Sequence, residues 1–202
     1  MNFSAIMCLN HNNAIGWKDS NKLVFYIADE LRLFKKITTE SHSGKENIVI
    51  MGRNTWKSIN KKPLPGRLNC IISTKYDLLN YKYRKYTNVI AFPNVETFLL
   101  FTDENADKYN SVFVIGGLSL YNIFLSNELV STIYCTKITT PNNRGDIIMQ
   151  ELPLDSYRLD SIYRYKNKKA IDTQTAEHIH IDYDFCIYQK KDPTDIINIS
   201  TV

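Results

Sequence analysis

Short runs of consecutive apolar residues alternate along this chain with stretches whose apolar residues recur every three or four positions. Phe3 to Leu9, Ile48 to Met51, Leu68 to Ser73, Val89 to Phe92, Val112 to Ile115 and Thr132 to Ile138 are too short for helices and read as strands, several without a polar face. Ile27 to Thr38, Val95 to Phe101 and Leu118 to Leu125 have the helical period, and Asn94 is a good N-cap for the second of them. Tyr157 to Tyr165 and Ile179 to Gln189 read as a late antiparallel pair. Asn10 to Asn13 is polar, and Gly16 punctuates a loop running to about Lys22. Strands alternating with helices predict an α/β domain with a largely parallel sheet. No internal repeat or low-complexity linker divides the chain.

Composition changes this picture little. The 202 residues are 44% hydrophobic and 23% charged, enough for one domain with a core that needs no disulfide or metal. A net charge of +4 and a pI of about 8.7 suit small anionic ligands but are too weak to announce a nucleic-acid binder. Cys8, Cys70, Cys135 and Cys186 each sit in an apolar strand, with no CxxC pair, and read as buried reduced thiols. No secretory leader is evident at the start, and no apolar run approaches the roughly 20 residues that span a bilayer. A cytoplasmic protein with no membrane partner is expected. Asp192 to Val202 is polar and reads as a loose tail.

Four places carry candidate chemistry. In the first helix Ile27, Leu31 and Phe34 define an apolar face, and Glu30 points the same way, whereas Asp29 is turned by about 100°. A carboxylate facing the core costs free energy unless paired or neutral, so Glu30 is a functional candidate with a raised pKa; its bland reading is a partner for the helix dipole. Two buried strands end in glycine ahead of a helix start, at Gly52-Arg53-Asn54-Thr55 and at Gly116-Gly117. They suggest an elongated phosphate-bearing ligand along the carboxyl edge of the sheet, although neither is the GxGxxG fingerprint. Pro63-Leu64-Pro65-Gly66-Arg67 is a stiff turn that presents Arg67 for a carboxylate.

Taken together, these segments resemble dihydrofolate reductase. The likeness runs through Ile6-Met7-Cys8, Ala14-Ile15-Gly16, Glu30 to Thr38, Val49 to Ile59, Pro63 to Arg67, Val114 to Gly117 with Leu120-Tyr121, Tyr134-Cys135-Thr136, Gly145-Asp146 and Tyr183-Asp184-Phe185. The resemblance implies a single-domain α/β fold over residues 1–190, a central, mostly parallel, eight-stranded sheet with an antiparallel C-terminal strand, flanked by helices. A flexible tail over 191–202 follows.

The resemblance also implies NADPH-dependent reduction of 7,8-dihydrofolate to tetrahydrofolate, in support of one-carbon metabolism and thymidylate synthesis, by a monomer. On this likeness Glu30 is the pocket carboxylate that pairs with the pterin. Met7, Cys8, Leu31, Phe34, Ile59, Leu64 and Ile115 border the substrate, Thr136 bonds Glu30, and Arg67 takes the glutamate-tail carboxylate. Ile15, Gly16, Ile115, Gly116 and Tyr121 border the nicotinamide. Thr55, Gly117 and Ser119 face the pyrophosphate, and Arg53, Ser73, Thr74 and Lys75 the adenosine phosphates. Cys8, Gly52, Asn54, Leu118 and Leu120 complete the cofactor set, and the Gly116–Gly117 peptide is expected to be cis.

The loop from Asn10 to Leu23 is expected to close over the two rings, with Asp146 holding it. Leu23-Val24-Phe25 departs from the family's usual Leu-Pro-Trp, which predicts a more mobile lid and a different route for the proton. Met7 is also larger than usual at its position. His178 and His180 share a strand face but lack a third ligand, so no metal is expected. Lys75 to Lys85, basic and tyrosine-rich, reads as a solvated insertion loop with no nucleic acid bound. The rivals are a reductase of riboflavin synthesis, against which Glu30 with Arg67 argues, a folate-binding protein without turnover, and an RNA-binding regulator using that loop.

Overall fold

The computed structural model describes residues 1–41 and 43–192. In chain order the elements are β1 (Asn2–Leu9), β2 (Ala14–Gly16), β3 (Phe25–Tyr26), α1 (Ala28–Thr39), β4 (Asn47–Gly52), α2 (Arg53–Ser58), β5 (Arg67–Ile72), α3 (Tyr76–Tyr83), β6 (Val89–Phe92), α4 (Val95–Glu104), β7 (Ser111–Val114), α5 (Leu118–Ser126), β8 (Thr132–Ile138), β9 (Ile147–Ile148), β10 (Tyr157–Asp172) and β11 (His178–Lys190), with a 3-10 turn at Leu154–Ser156. Among the described residues the main sheet has nine strands in the order β3-β10-β11-β8-β1-β7-β4-β5-β6; β2 and β9 form a separate pair.

The pairings from β8 through β1, β7, β4 and β5 to β6 are parallel, and β11 turns the sheet antiparallel at β8. The ninth strand, beyond the expected eight, is the two-residue β3 on the outer edge of β10. The mostly parallel α/β sheet flanked by helices is the one the sequence pattern predicts, because the parallel strands are covered on both faces and can be apolar throughout.

Strand β1 lies at the centre and its side chains alternate between two cores. Ala5, Met7 and Leu9 pack with residues of α4 and α5, such as Phe98, Leu120 and Phe124. Ile6 packs on the other face with Val49, Met51 and Trp56, against Phe34 and Ile37 of α1. The connections after β1, β4 and β5 therefore cross one face and those after β6 and β7 cross the other. The strands end together in a crevice where this reversal occurs, the usual place for a ligand in an open α/β sheet.

One expectation fails. Lys75 to Lys85 is not an open loop, since Tyr76–Tyr83 is helical. The helix is held by Tyr83, which packs edge-on against Trp56 at 5.3 Å between ring centroids, and by Asn80. The Asn80 amide accepts from the N–H of Ala91 at 2.7 Å and donates to its carbonyl at 3.0 Å, tying the helix to the edge strand β6. No helix among the described residues is long and apolar enough to cross a membrane. All four cysteines are free thiols. The tail expected from Asp192 onward lies, from residue 193, outside the described residues.

Candidate active site

A cleft of about 1160 Å³ runs along the carboxyl ends of the parallel strands. It is lined by Gly52 at the end of β4, by Arg53, Asn54 and Thr55 of α2, by Ile115, Gly116 and Gly117 after β7, and by Leu118, Ser119, Leu120 and Tyr121 of α5. Ile15, Gly16 and Cys8 close one end. Fourteen of the positions assigned to the cofactor are thus brought together. Ser73, Thr74 and Lys75 do not line the cleft, although Ile72, which delivers them, does. Ser73 is buried and its hydroxyl accepts from the Lys75 N–H, while Thr74 and Lys75 are exposed. The sequence did not single out the far rim at Pro93 to Glu96, which starts α4.

The floor is backbone. The Gly116–Gly117 peptide is cis, as expected. The Gly52 N–H donates to the Gly116 carbonyl at 2.8 Å, locking the two glycine ends side by side. Gly116 has φ +110°, and a Cβ there would stand 3.2 Å from the Tyr121 hydroxyl oxygen. Tyr121 cannot easily yield, since its phenol donates to the Ile6 carbonyl at 2.8 Å. Helix α5 starts at Gly117 without a side-chain cap, leaving its first N–H groups free for an anion. That uncapped start beside Thr55, Ser119 and Arg53 is the donor set a pyrophosphate needs.

Beyond Cys8 and Ile115 the site closes. Glu30 is 8% exposed on α1, and the Thr136 hydroxyl on β8 donates to its Oε1 at 3.4 Å. Glu30 stands in the first turn of α1, where the helix dipole favours a charge, yet burial dominates and pushes its carboxyl up to about 7, with Thr136 pulling weakly back. Asp29, one residue earlier, faces outward to Arg32 and Lys168, as the helical period requires. Cys8 and Tyr121 lie close enough for the Glu30 charge to add to burial in raising their pKa values, so both stay protonated. Phe34, Ile59, Leu64 and Ile115 converge on one apolar cluster, which carries four of the positions assigned to the substrate.

Met7 does not join them. Strand alternation sends its side chain to the opposite core, leaving only its backbone on this side. Ile6 takes the place on the site face, and strict alternation from Cys8 would have indicated it. Arg67 is only 2% exposed and so is not a loose arginine on a surface turn. Its Nη1 donates to the Thr38 hydroxyl at 2.6 Å and its Nε to the Pro65 carbonyl at 3.1 Å, and its guanidinium carbon lies 5.9 Å from the centre of the Phe34 ring. Asn69 braces the turn by bonding both the N–H and the carbonyl of Leu64. Thr38, which ends the Glu30 to Thr38 segment of the likeness, and Asn69, which lies in none of its segments, are both buried and were assigned no role.

The segment between β1 and α1 lies over the cleft. Asp146 holds it as expected, since its carboxylate accepts from the Lys18 N–H at 2.8 Å and its N–H donates to the Gly16 carbonyl at 3.1 Å. Val24 and Phe25 are buried with Ile27, Ile138 and Tyr183 in a third apolar cluster. His178 and His180 are exposed, and no group of three or more potential metal ligands occurs among the described residues.

Comparison with known proteins gives the same reading. A family model described as dihydrofolate reductase matches residues 2–190. The dihydrofolate reductase of Schistosoma mansoni is 29% identical over 195 residues, 93% of this chain and 96% of that protein. The dihydrofolate reductase of Candida albicans is 37% identical over 131 residues, 63% of each chain. A bifunctional dihydrofolate reductase-thymidylate synthase of Paramecium tetraurelia is 30% identical over 171 residues, 84% of this chain but only 33% of its own length. A glycine-floored cleft, a buried carboxylate at its closed end and a match from the second residue to the last strand agree, and the chain belongs to the dihydrofolate reductase family.

Proposed function

We propose that residues 1–190 form one catalytic domain that reduces dihydrofolate with NADPH, and that the positions assigned above carry the two ligands. The observation that supports this most is Glu30, a nine-tenths buried carboxyl close enough to Cys8 and Tyr121 of the cleft lining for its charge to act on them. Its two oxygens suit the paired donors of a pterin, an amino group beside a ring N–H, and a fork of this kind holds the ring in one orientation.

NADPH, when bound, supplies the hydride that passes from its nicotinamide to C6 of the pterin. The chain's own groups supply the remainder. Ionised Glu30 steadies the positive charge that N5 protonation brings to the ring. Cys8 and Tyr121 keep their protons, and the Tyr121 hydroxyl hydrogen is committed to the Ile6 carbonyl, so water carries the proton to N5. Phe34, Ile59 and Leu64 sandwich the ring and benzoyl group, and Arg67, preset by Thr38 and Pro65, awaits the tail carboxylate. Holding both rings at the Cys8–Ile115 junction turns a bimolecular step into a local one, and the lid keeps bulk water out. Ser73, Thr74 and Lys75, just outside the cleft, suit the adenosine 2′-phosphate.

The test is loss of reduced-nicotinamide absorbance when the protein meets dihydrofolate and NADPH, run beside Glu30→Gln. Turnover by the parent and a loss of about 10²–10⁴ in kcat/KM by the variant are expected, the range associated with one positioned acid–base group. A well-folded parent that binds both ligands and turns over neither overturns the reading and leaves a folate-binding protein.

A further inference from the structure

The lid is held by two separate clamps. The first is the loop after β8. Its Asn142 side chain and Arg144 carbonyl both accept from the Asn10 amide, the latter at 2.6 Å, where the lid leaves β1. Its Asp146 grips Lys18 and Gly16 in the middle of the lid, and β9 pairs with β2. Gly145, between Arg144 and Asp146, is packed so closely that a Cβ would stand 2.5 Å from Cβ of Ala14 and 2.8 Å from Cγ2 of Val24.

The second clamp is the turn between β10 and β11. Its Thr173 donates from its N–H to the Val24 carbonyl at 3.1 Å and from its hydroxyl to the Leu23 carbonyl at 2.5 Å, where the lid enters α1. Neither clamp is close to the other in sequence, and Arg144 of the first reaches two acids of the second. The Arg144 guanidinium bonds Oδ2 of Asp172, whose carboxylate is fully buried. The other Asp172 oxygen accepts from the N–H groups of Gln174 and Thr175 at 2.8 and 2.9 Å, so the carboxylate also shapes the turn that carries Thr173. Glu177 adds a second acid 3.8 Å from the same guanidinium.

We propose that Arg144 and Asp172 are a positioning pair that sets the two clamps in register and so holds the lid closed over the cofactor cleft. The inference rests on reading the cleft as the NADPH site. A buried pair of this kind adds little net stability, because desolvation offsets its attraction, but it discriminates sharply between arrangements that make it and arrangements that do not. It is also a compensation for Val24. That residue does not fix the backbone at the end of the lid, and Thr173, held by Asp172, fixes it from outside. On this reading the latch offsets the loosening that Val24 is expected to bring.

Either partner is expected to be removable without unfolding the protein, because each keeps other ways to satisfy its polar atoms. Without Arg144 the Asp172 carboxylate keeps two backbone donors. With Asp172 neutral, Arg144, which is 37% exposed, can hydrate. The experiment measures Arg144→Met, Asp172→Asn, the double variant and Arg144→Lys. Two readings are taken: NADPH dissociation by stopped-flow fluorescence, and trypsin cleavage at the exposed lid sites Lys18 and Lys22, with Lys82 of α3 as an internal control.

Both single variants are expected to release NADPH at least about fivefold faster, the lower range of a real coupling between sites, and to be cut faster in the lid but not at Lys82. The double variant should match the worse single, and Arg144→Lys should recover most of the parent's behaviour. Additive losses, or a lower melting point with unchanged release and lid cleavage, overturn the proposal. Lid cleavage without ligand needs no turnover. A parent that is inactive but shows the same latch effect overturns the proposed reaction and leaves the latch, whereas an active parent with indifferent variants overturns the latch alone.

Discussion

The open cleft and the closed end beyond Cys8 present opposite materials to a ligand. The cleft is made of backbone, with two glycine strand ends, an uncapped helix start and a lid whose carbonyls and N–H groups are gripped from outside. The closed end is made of side chains, with Glu30 and Arg67 both under 9% exposed, Glu30 bonded to the Thr136 hydroxyl and Arg67 to the Thr38 hydroxyl and the Pro65 carbonyl. A backbone site tolerates changes of side chain and fails where a Cβ intrudes. A side-chain site behaves the other way, and its buried charge carries a stability cost.

The sharpest break of that comparison comes from Glu30 itself. Its pKa is about 7 in the fold against 4.5 when unfolded. Below pH 4.5 it is neutral in both states and costs nothing. Between 4.5 and 7 the folded state holds more proton than the unfolded one, so stability falls as pH rises, and above 7 the full penalty stays. For a difference of this size the penalty is about 3 kcal/mol. Ligand-free Glu30→Gln should therefore be more stable than the parent at pH 8, by up to about 3 kcal/mol, while no advantage remains at pH 4. Urea midpoints at the two pH values measure this. An advantage that does not change with pH would mean that the carboxyl is not desolvated and that the closed end is not closed.

The cleft should respond to Gly116→Ala. The residue stands at φ +110° and its Cβ would press on Tyr121, which is tied to Ile6. A strained backbone of this kind costs about 1–3 kcal/mol, so NADPH affinity should drop by about tenfold. The pKa of Glu30 should change little, because it is set by burial and by Thr136, neither of which the substitution touches. Titration calorimetry with NADPH checks the first expectation. An unchanged affinity would show that the glycine floor is not where the cofactor lies.

What was legible in the sequence follows the same division. Buried parallel strands read cleanly because both faces are apolar, and the cleft became legible because two glycine strand ends, each of which alone could be a turn, recur ahead of helix starts. Helix α3 did not. Its apolar positions Tyr76, Leu79 and Tyr83 are separated by exposed Lys82 and flanked by Arg84 and Lys85, and its hold on the sheet, through Asn80 and the Trp56 ring, is tertiary. Glu30 was legible from its helical phase, but Arg67 only as a turn residue, since nothing local signals that Thr38, 29 positions earlier, will bury it. Asn10, Arg144 and Asp172 were silent for the same reason, the first two lying in loops of ordinary polar composition and the third at the end of β10, each acquiring its role from a partner over 25 positions away. Met7 was misplaced because its motif was read as a unit, whereas adjacent strand residues face opposite cores.

The smallest expected effect is also the finest measure of how closed the pterin end is. Thr136 donates to Glu30 at 3.4 Å, near the limit for a hydrogen bond, and it favours the ionised form. Replacing it by valine keeps the shape and removes the donor. The Glu30 pKa should then rise further above 7, since burial acts unopposed, and the carboxyl should be less ionised at neutral pH. Titration of a ¹³C-labelled glutamate carboxyl by NMR reads the change directly. A rise of a fraction of a pH unit fits a long, weak bond worth under about 1 kcal/mol. A fall would mean that water enters when Thr136 is lost and solvates the carboxylate better than the hydroxyl did, so the closed end would be closed by that one side chain and not by the packing of α1 on the sheet.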